Sequence, residues 1–339
     1  MNFPYAAAKN YLAEVLTKNL PEDLKNHSEK IIDLHLNQNT QAMPLMTSQQ
    51  YGKVREMIGA NQSLEKIIQS LQFEKTATKS GMFRVMARTH LNRSGINHVS
   101  QGYENKTLSP RILKFSESID LTKNITTKDI IVKWYAFAEA HSADNVESSL
   151  KYDDRALNCL KKLANMDDID EWHTSGGTAP GLSRKLGVDL GWCRIALGLT
   201  SGLMFLKRKN WNLYETVSQD NLGYDDIHAL IKDCQKHICE YGYALAGSFL
   251  ADLGGTAFVK DDTHVRACVL AVEPRMNKPE QRVKFVIESA HHCNISPRAL
   301  DKLMYIAGSG NFPLLGLKIN SSQQIKDSFI RKLPKISTH

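Results

Sequence analysis

The stretch Lys236 to Arg266, KHICEYGYALAGSFLADLGGTAFVKDDTHVR, constrains this chain more than any other. It reads as the end of one helix, a tight break at Glu240-Tyr241-Gly242, a second helix, a glycine stop and an acidic start to a third helix. Leu245, Phe249 and Leu253 recur four apart with Ala246 and Leu250 beside them, the spacing of one apolar helix face. Gly254-Gly255 ends that helix, because glycine accepts the left-handed backbone that closes a helix C-terminus. Val265, Cys268, Val269 and Val272 then fall at i, i+3, i+4 and i+7. A third helix therefore begins near Asp262 and buries that face, with Asp262 at or beside its N-cap.

The remaining chain repeats helical spacing and offers little else. Tyr11, Leu12, Val15 and Leu16 form a first stripe, Ile31, Ile32 and Leu34 a second, and Val54, Met57, Ile58, Ile67, Ile68 and Leu71 continue it. Ser94 to Lys128 is polar and reads as a linker or long excursion, after which Ile130, Ile131, Trp134, Tyr135 and Phe137 resume the helical series. Tyr224 to Ile238 is a helix with Asp225-Asp226 favouring its positive end, and Ser296-Pro297 starts another with a cap and a first-turn proline. Strand-like alternation is scarce, so the expected fold class is all-α. The longest apolar run, Ile195 to Leu206, is too short to span a bilayer and reads as a core helix, so no membrane partner is expected. Lys9 and Glu14 interrupt the start before any apolar run develops, which predicts a cytoplasmic, nucleoid-associated protein without a signal peptide.

Composition narrows the classes further. With 339 residues, 42% hydrophobic and 23% charged, the chain has the make-up of a globular protein of one large or two ordinary domains. A formal net charge of +7 suits a polyanion without demanding one. The six cysteines show neither a CxxC pair nor metal-ligand spacing, and read as buried free thiols. Glu171 to Arg184, EWHTSGGTAPGLSR, is a Gly- and Thr-rich break carrying Trp172 and His173, either an ordinary turn or a recognition loop.

The stretch that opens this reading resembles the helix-hairpin-helix DNA glycosylase superfamily. Asp261-Asp262-Thr263-His264-Val265-Arg266 is similar to the family's Val-Asp-Thr-His-Val-x-Arg run, with Ala267 where the family's arginine stands. Tyr241-Gly242-Tyr243-Ala244-Leu245-Ala246 looks like its turn, Gly242 matching the second glycine. Ile238-Cys239-Glu240-Tyr241-Gly242 departs from the usual Leu-Pro-Gly-x-Gly by lacking the proline and the first glycine. Ser296 to Gly310 is a second, softer match.

The resemblance implies a helix-hairpin-helix fold with an extra N-terminal helical region. The expected division is residues 1–125 as that region and its linker, 126–325 as the glycosylase domain and 326–339 as a basic, peripheral tail. It implies Asp262 as the catalytic carboxylate, with Gly242, Tyr243, Ala244, His264 and Arg266 as DNA contacts. Trp172, His173 and Tyr241 are then candidates for the base pocket. Carbonyls of Lys236, Ile238 and Tyr241 are candidates for a monovalent cation at the hairpin, with no cofactor otherwise required. DNA is the implied partner, and no protein partner is implied. Ala244 stands where lysine-bearing members carry the Schiff-base amine, so hydrolysis to an abasic site without a lyase step is expected. A damaged base, or a hypermodified cytosine of phage DNA, would be the substrate. The alternative is a non-catalytic DNA-binding protein that kept the hairpin.

The residue types suit that chemistry. Breaking an N-glycosidic bond builds positive charge on the sugar, and a nearby carboxylate stabilises it and orients or deprotonates water. The start of a helix favours the anion. Asp261 is the neighbouring rival, one residue early in the match. Arg266, one turn on, is placed to pair with Asp262 or to hold a phosphate. A base inside a duplex must first be flipped out.

Overall fold

A computed structural model describes residues 2–37, 48–71, 76–91, 115, 118–120, 125–142, 154–219, 222–319 and 322–336. Most of the expected Ser94–Lys128 linker lies outside the described residues. The fold is all-α; among the described residues the strands are Asn311–Phe312 and Leu317–Lys318, an antiparallel pair with Phe312 opposite Leu317. No helix of the described residues is long and apolar enough to cross a membrane.

The chain divides into two compact units that interleave along the sequence. The first comprises Met1–Lys75, Val217–Ala229 and Leu250–His339, and the second Thr76–Thr216 and Leu230–Phe249. This interleaving departs from the sequential division expected at 125 and 325. Its physical reason is the packing of the first unit, where the N-terminal helices Tyr5–Asn19 and Ser28–Leu36 lie against the helix Pro297–Ser309. Leu12, Leu16, Ile31, Ile32 and Leu34 are each 0 or 1% exposed, so the stripes read in the sequence are spent on that partner. The C-terminal segment is likewise no peripheral tail. Its helix, Ser322–Ile336, buries Phe329 and Leu333 and packs on Thr263–Val272 and Pro297–Ser309.

Two fastenings complete the first unit. Arg55, from the helix Ser48–Gly59, donates through Nε (2.9 Å) and a terminal nitrogen (2.7 Å) to the Leu315 carbonyl. His35 donates from Nδ1 to the Ile31 carbonyl at 2.7 Å and accepts the Leu314 amide at Nε2 at 3.3 Å. That pair of bonds requires the neutral ring, and burial pushes its pKa down to about 4.

The second unit is built round the helix Leu190–Arg208, capped by Asp189, whose Oδ1 accepts the Trp192 amide. It is buried on almost every side, as the apolar run Ile195–Leu206 predicted, because the helices Lys79–Leu91, Thr127–Ala140, Asp154–Ala164 and Ala179–Leu186 surround it. Small residues allow that close approach. A Cβ on Gly198 would fall 2.1 Å from the His90 ring, and one on Gly202 2.3 Å from the Met86 sulfur. The six cysteines are free thiols.

Candidate active site

Asp262 is the N-cap of the helix Thr263–Val272. Its Oδ1 accepts the amides of His264 (2.8 Å) and Val265 (3.2 Å), satisfying two of the donors that a helix start leaves open. Its Oδ2 lies 3.7 Å from Lys260 Nζ, and the side chain is 16% exposed. One oxygen thus fixes the carboxylate through the helix start, while the other faces the Lys260 ammonium.

Asp261 is arranged differently. Arg282 reaches it through Nε and a terminal nitrogen, both at 2.7 Å, and the side chains are 4 and 5% exposed. The same guanidinium donates to the carbonyls of Met276 and Asn277. Both oxygens of Asp261 are consumed in holding the loop to the helix Pro279–His292. Of the two adjacent aspartates, Asp261 is locked in a bidentate buried pair, while Asp262 caps a helix with one oxygen and keeps a looser cation beside the other.

The wall opposite Asp262 comes from Pro297–Ser309, which packs on the Asp262 helix. Arg298, Asp301, Lys302 and Tyr305 follow each other at i, i+3, i+4 and i+7 and so share one face. Arg298 bridges Asp301 (2.8 Å) and Asp252, the last residue of the helix Tyr243–Asp252. Burial pushes the Asp301 carboxyl up to about 6, with Asp262 adding to the rise and Arg298 opposing it. Burial brings Lys302 down to about 8. Sequence reasoning singled out none of these four. Their i, i+3, i+4, i+7 spacing was the available signal, but charged residues at such spacing ordinarily mark a solvated face.

The remaining expected residues fall in two groups. His264 turns its ring inward. A Cβ on Gly308 would meet its Nδ1 at 2.4 Å, and Tyr305 lies edge-on with ring centres 5.7 Å apart. Burial lowers the imidazole below its ordinary value, and Nδ1 is buried without a partner. His264, expected as a DNA contact, thus lies beside Asp262 with its ring against Gly308 and Tyr305. Arg266 is exposed on the helix, and no ion pair joins it to Asp262 among the described residues.

Gly242, Tyr243 and Ala244 belong to the second unit: Gly242 ends the turn after the helix Tyr224–His237, and Tyr243, 7% exposed, and Ala244 begin the helix Tyr243–Asp252. Glu240, at the start of this turn, adopts a left-handed backbone, φ +68°. The turn is held by the Cys239 amide on Ser201 Oγ (2.9 Å) and by Glu240 against Arg194 (3.5 Å). Gly242 is exposed, and nothing lies within 4 Å of the place a Cβ would take. The first amides of the following helix have no acceptor within it, which suits an approaching anion.

Tyr241, expected in a base pocket, is a core residue instead: it is 4% exposed and donates its hydroxyl to the Met86 carbonyl at 3.0 Å. Its amphipathic ring satisfies an apolar body and a polar tip at once, which sequence does not distinguish from a pocket wall. Of the three carbonyls proposed for a cation, that of Ile238 already accepts the Tyr241 amide at 3.2 Å. Trp172 is half-buried beneath the glycine loop, where a Cβ on Gly177 would lie 2.3 Å from its Nε1. His173 lies in the helix Ile169–Thr174, with its side chain outside the described residues.

The glycine loop and the hairpin nevertheless meet. Gly176–Ala179 and Gln235–Glu240 line one cavity of about 1080 Å³ within the second unit, together with Ile125–Thr127 and the end of the Leu190–Arg208 helix. Among the described residues no group of three or more His, Cys, Asp or Glu is gathered as for a metal ion. No family model matches the chain, and no curated protein and no solved structure matches it.

Proposed function

We propose that the chain is a monofunctional DNA glycosylase of helix-hairpin-helix type. It hydrolyses the N-glycosidic bond of a flipped-out modified base and leaves an abasic site. The single observation that carries this reading is the contrast between Asp262 and Asp261. Asp262 is fixed through one oxygen by two helix-start amides, and its other oxygen is held more loosely, 3.7 Å from the Lys260 ammonium. A carboxylate so held faces developing positive charge on a sugar without having to reorganise.

The steps assigned to this chain's residues are few. Asp262 stabilises the cationic sugar and orients the attacking water. Arg298 and Asp301 hold the wall behind it, and the neutral His264 fills the space between the two helices. The helix start that follows Gly242 receives a DNA phosphate, a sequence-independent contact. Ala244 supplies no amine, so the reaction ends at the abasic site and leaves the strand intact.

The test is abasic-site formation on a panel of duplex and single-stranded DNAs carrying alkylated, oxidised, uracil and glucosylated-cytosine bases. The reading predicts alkali-labile sites on at least one substrate, and no adduct on borohydride reduction. Salt-sensitive binding with no abasic product on any DNA would replace it with a non-catalytic DNA-binding protein.

A further inference from the structure

We propose that the cavity of the second unit is a binding site for a phosphate-bearing nucleotide, with the phosphate at its cationic, helix-start wall and the base against Arg208. The proposal concerns residues outside the Asp262 site and holds whether or not Asp262 cleaves a glycosidic bond.

Four observations converge on it. First, the cavity is large, about 1080 Å³, and mixes an apolar floor from Met204, Phe205 and Ile238 with polar walls. Inorganic phosphate would fill little of it, whereas a flat organic body with one charged end matches both parts. Second, the charges of its lining are Lys207, Arg208 and Lys236 against Glu240, and Glu240 is paired with Arg194. The balance favours an anion.

Third, Arg208 is held as a plane. Its guanidinium carbon lies 5.4 Å from the Phe205 ring centre, a terminal nitrogen is 2.7 Å from His237 Nδ1, and another is 3.5 Å from Asp233. Burial and Arg208 itself lower the His237 imidazole, leaving Nδ1 as the acceptor. The Arg208 side chain is nonetheless 47% exposed, so it remains accessible at the cavity edge. Fixed guanidinium planes are surfaces on which nucleobases stack.

Fourth, the polar wall is built from two helix starts and a glutamine whose Oε1 is buried without a hydrogen-bond partner. Thr126 and Thr178, N-caps of Thr127–Ala140 and Ala179–Leu186, both border the cavity. Their hydroxyls serve the amides of Asp129 and Gly181, leaving the amides of Thr127 and Ala179 without an acceptor inside their helices. In the same lining, Gln235 Oε1 is buried with no hydrogen-bond partner. Amides suit phosphate oxygens, and a lone amide oxygen suits an exocyclic amine of a base.

A free nucleotide and a nucleotide within a strand share this chemistry, and the test separates them. The full chain carrying Asp262→Asn, which removes any turnover, is titrated calorimetrically with dCMP, dAMP, deoxycytidine, inorganic phosphate and a short single-stranded oligonucleotide. The expected result is saturable binding of at least one monophosphate, about tenfold or more tighter than the matching nucleoside or phosphate alone. Lys236→Ala and Arg208→Lys should each weaken it about tenfold, the second because lysine keeps the charge and loses the plane. Binding of the oligonucleotide alone, weakened by the same two substitutions, assigns the site to a strand nucleotide. Absence of binding by every probe overturns the proposal, and so does binding that both substitutions leave unchanged. Abasic-site formation by the wild type is read separately, so either conclusion can fail without the other.

Discussion

The neighbourhood of Asp262 and the cavity of the second unit use charge in opposite ways. In the first, charges are interior and paired: Asp261 with Arg282, and Asp301 and Asp252 with Arg298, most of these side chains 10% exposed or less. In the second, Lys207, Arg208 and Lys236 rim an open space. An interior pair is costly to break because the survivor is left charged without water, whereas a rim charge keeps its solvent. The difference teaches that the first region is built to hold one carboxylate still. The second leaves its cations at the edge of an open cavity.

Removing one partner of the interior pairs should have the largest effect. Arg282→Met leaves Asp261 buried and uncompensated, and is expected to lower unfolding free energy by about 3–5 kcal/mol in denaturant titration. A loss below about 1 kcal/mol would show that Asp261 finds water or another donor, and would erase the contrast between the two aspartates.

Next comes the buried imidazole of the first unit. His35 is lowered from 6.5 to about 4 in the folded state, so the unfolded chain takes up its proton first. The stability it contributes is complete above pH 6.5 and is lost as pH falls towards 4, on the order of 3 kcal/mol. Asp301, raised from 3.8 to about 6, acts in the opposite sense: the folded state keeps its proton longer, and stability falls as pH rises through that window. Stability measured against pH should therefore lose its acid-side slope in His35→Gln and gain slope in Asp301→Asn. Profiles unchanged by either substitution would contradict the buried titrations.

Smaller effects belong to the second unit. Glu240→Gly removes a left-handed strain at φ +68° at the cost of a part-exposed ion pair, and should raise stability by up to about 1 kcal/mol. A clear loss would mean that the Arg194 pair, not the backbone, sets the turn. Lys236→Ala should change stability by less than about 0.5 kcal/mol while weakening nucleotide binding. A larger loss of stability would make this lysine structural and bring the two regions closer in character.

Sequence was informative where a local rule sufficed. The Asp262 cap followed from Val265, Cys268, Val269 and Val272 behind it, and the glycine stop from Gly254, whose φ is +130°. The buried helix Leu190–Arg208 followed from one apolar run. What escaped was tertiary. No local pattern says that the helices of residues 5–36 share a core with Pro297–Ser309, or that four segments from residues 125 to 240 enclose one cavity. Arg298, Asp301 and Lys302 were passed over because their burial depends on one another's charge, and Tyr241 was misplaced because a tyrosine serves a core and a pocket equally well.

The most direct measurement of the central claim is the rate of abasic-site formation by Asp262→Asn beside wild type. Asparagine caps a helix as well as aspartate does, so the fold and DNA binding should persist. The rate should fall by about 10³-fold or more, because the neutral amide neither stabilises the cationic sugar nor accepts a proton from water. A folded Asp262→Asn protein that forms abasic sites at the wild-type rate would contradict the assignment of Asp262.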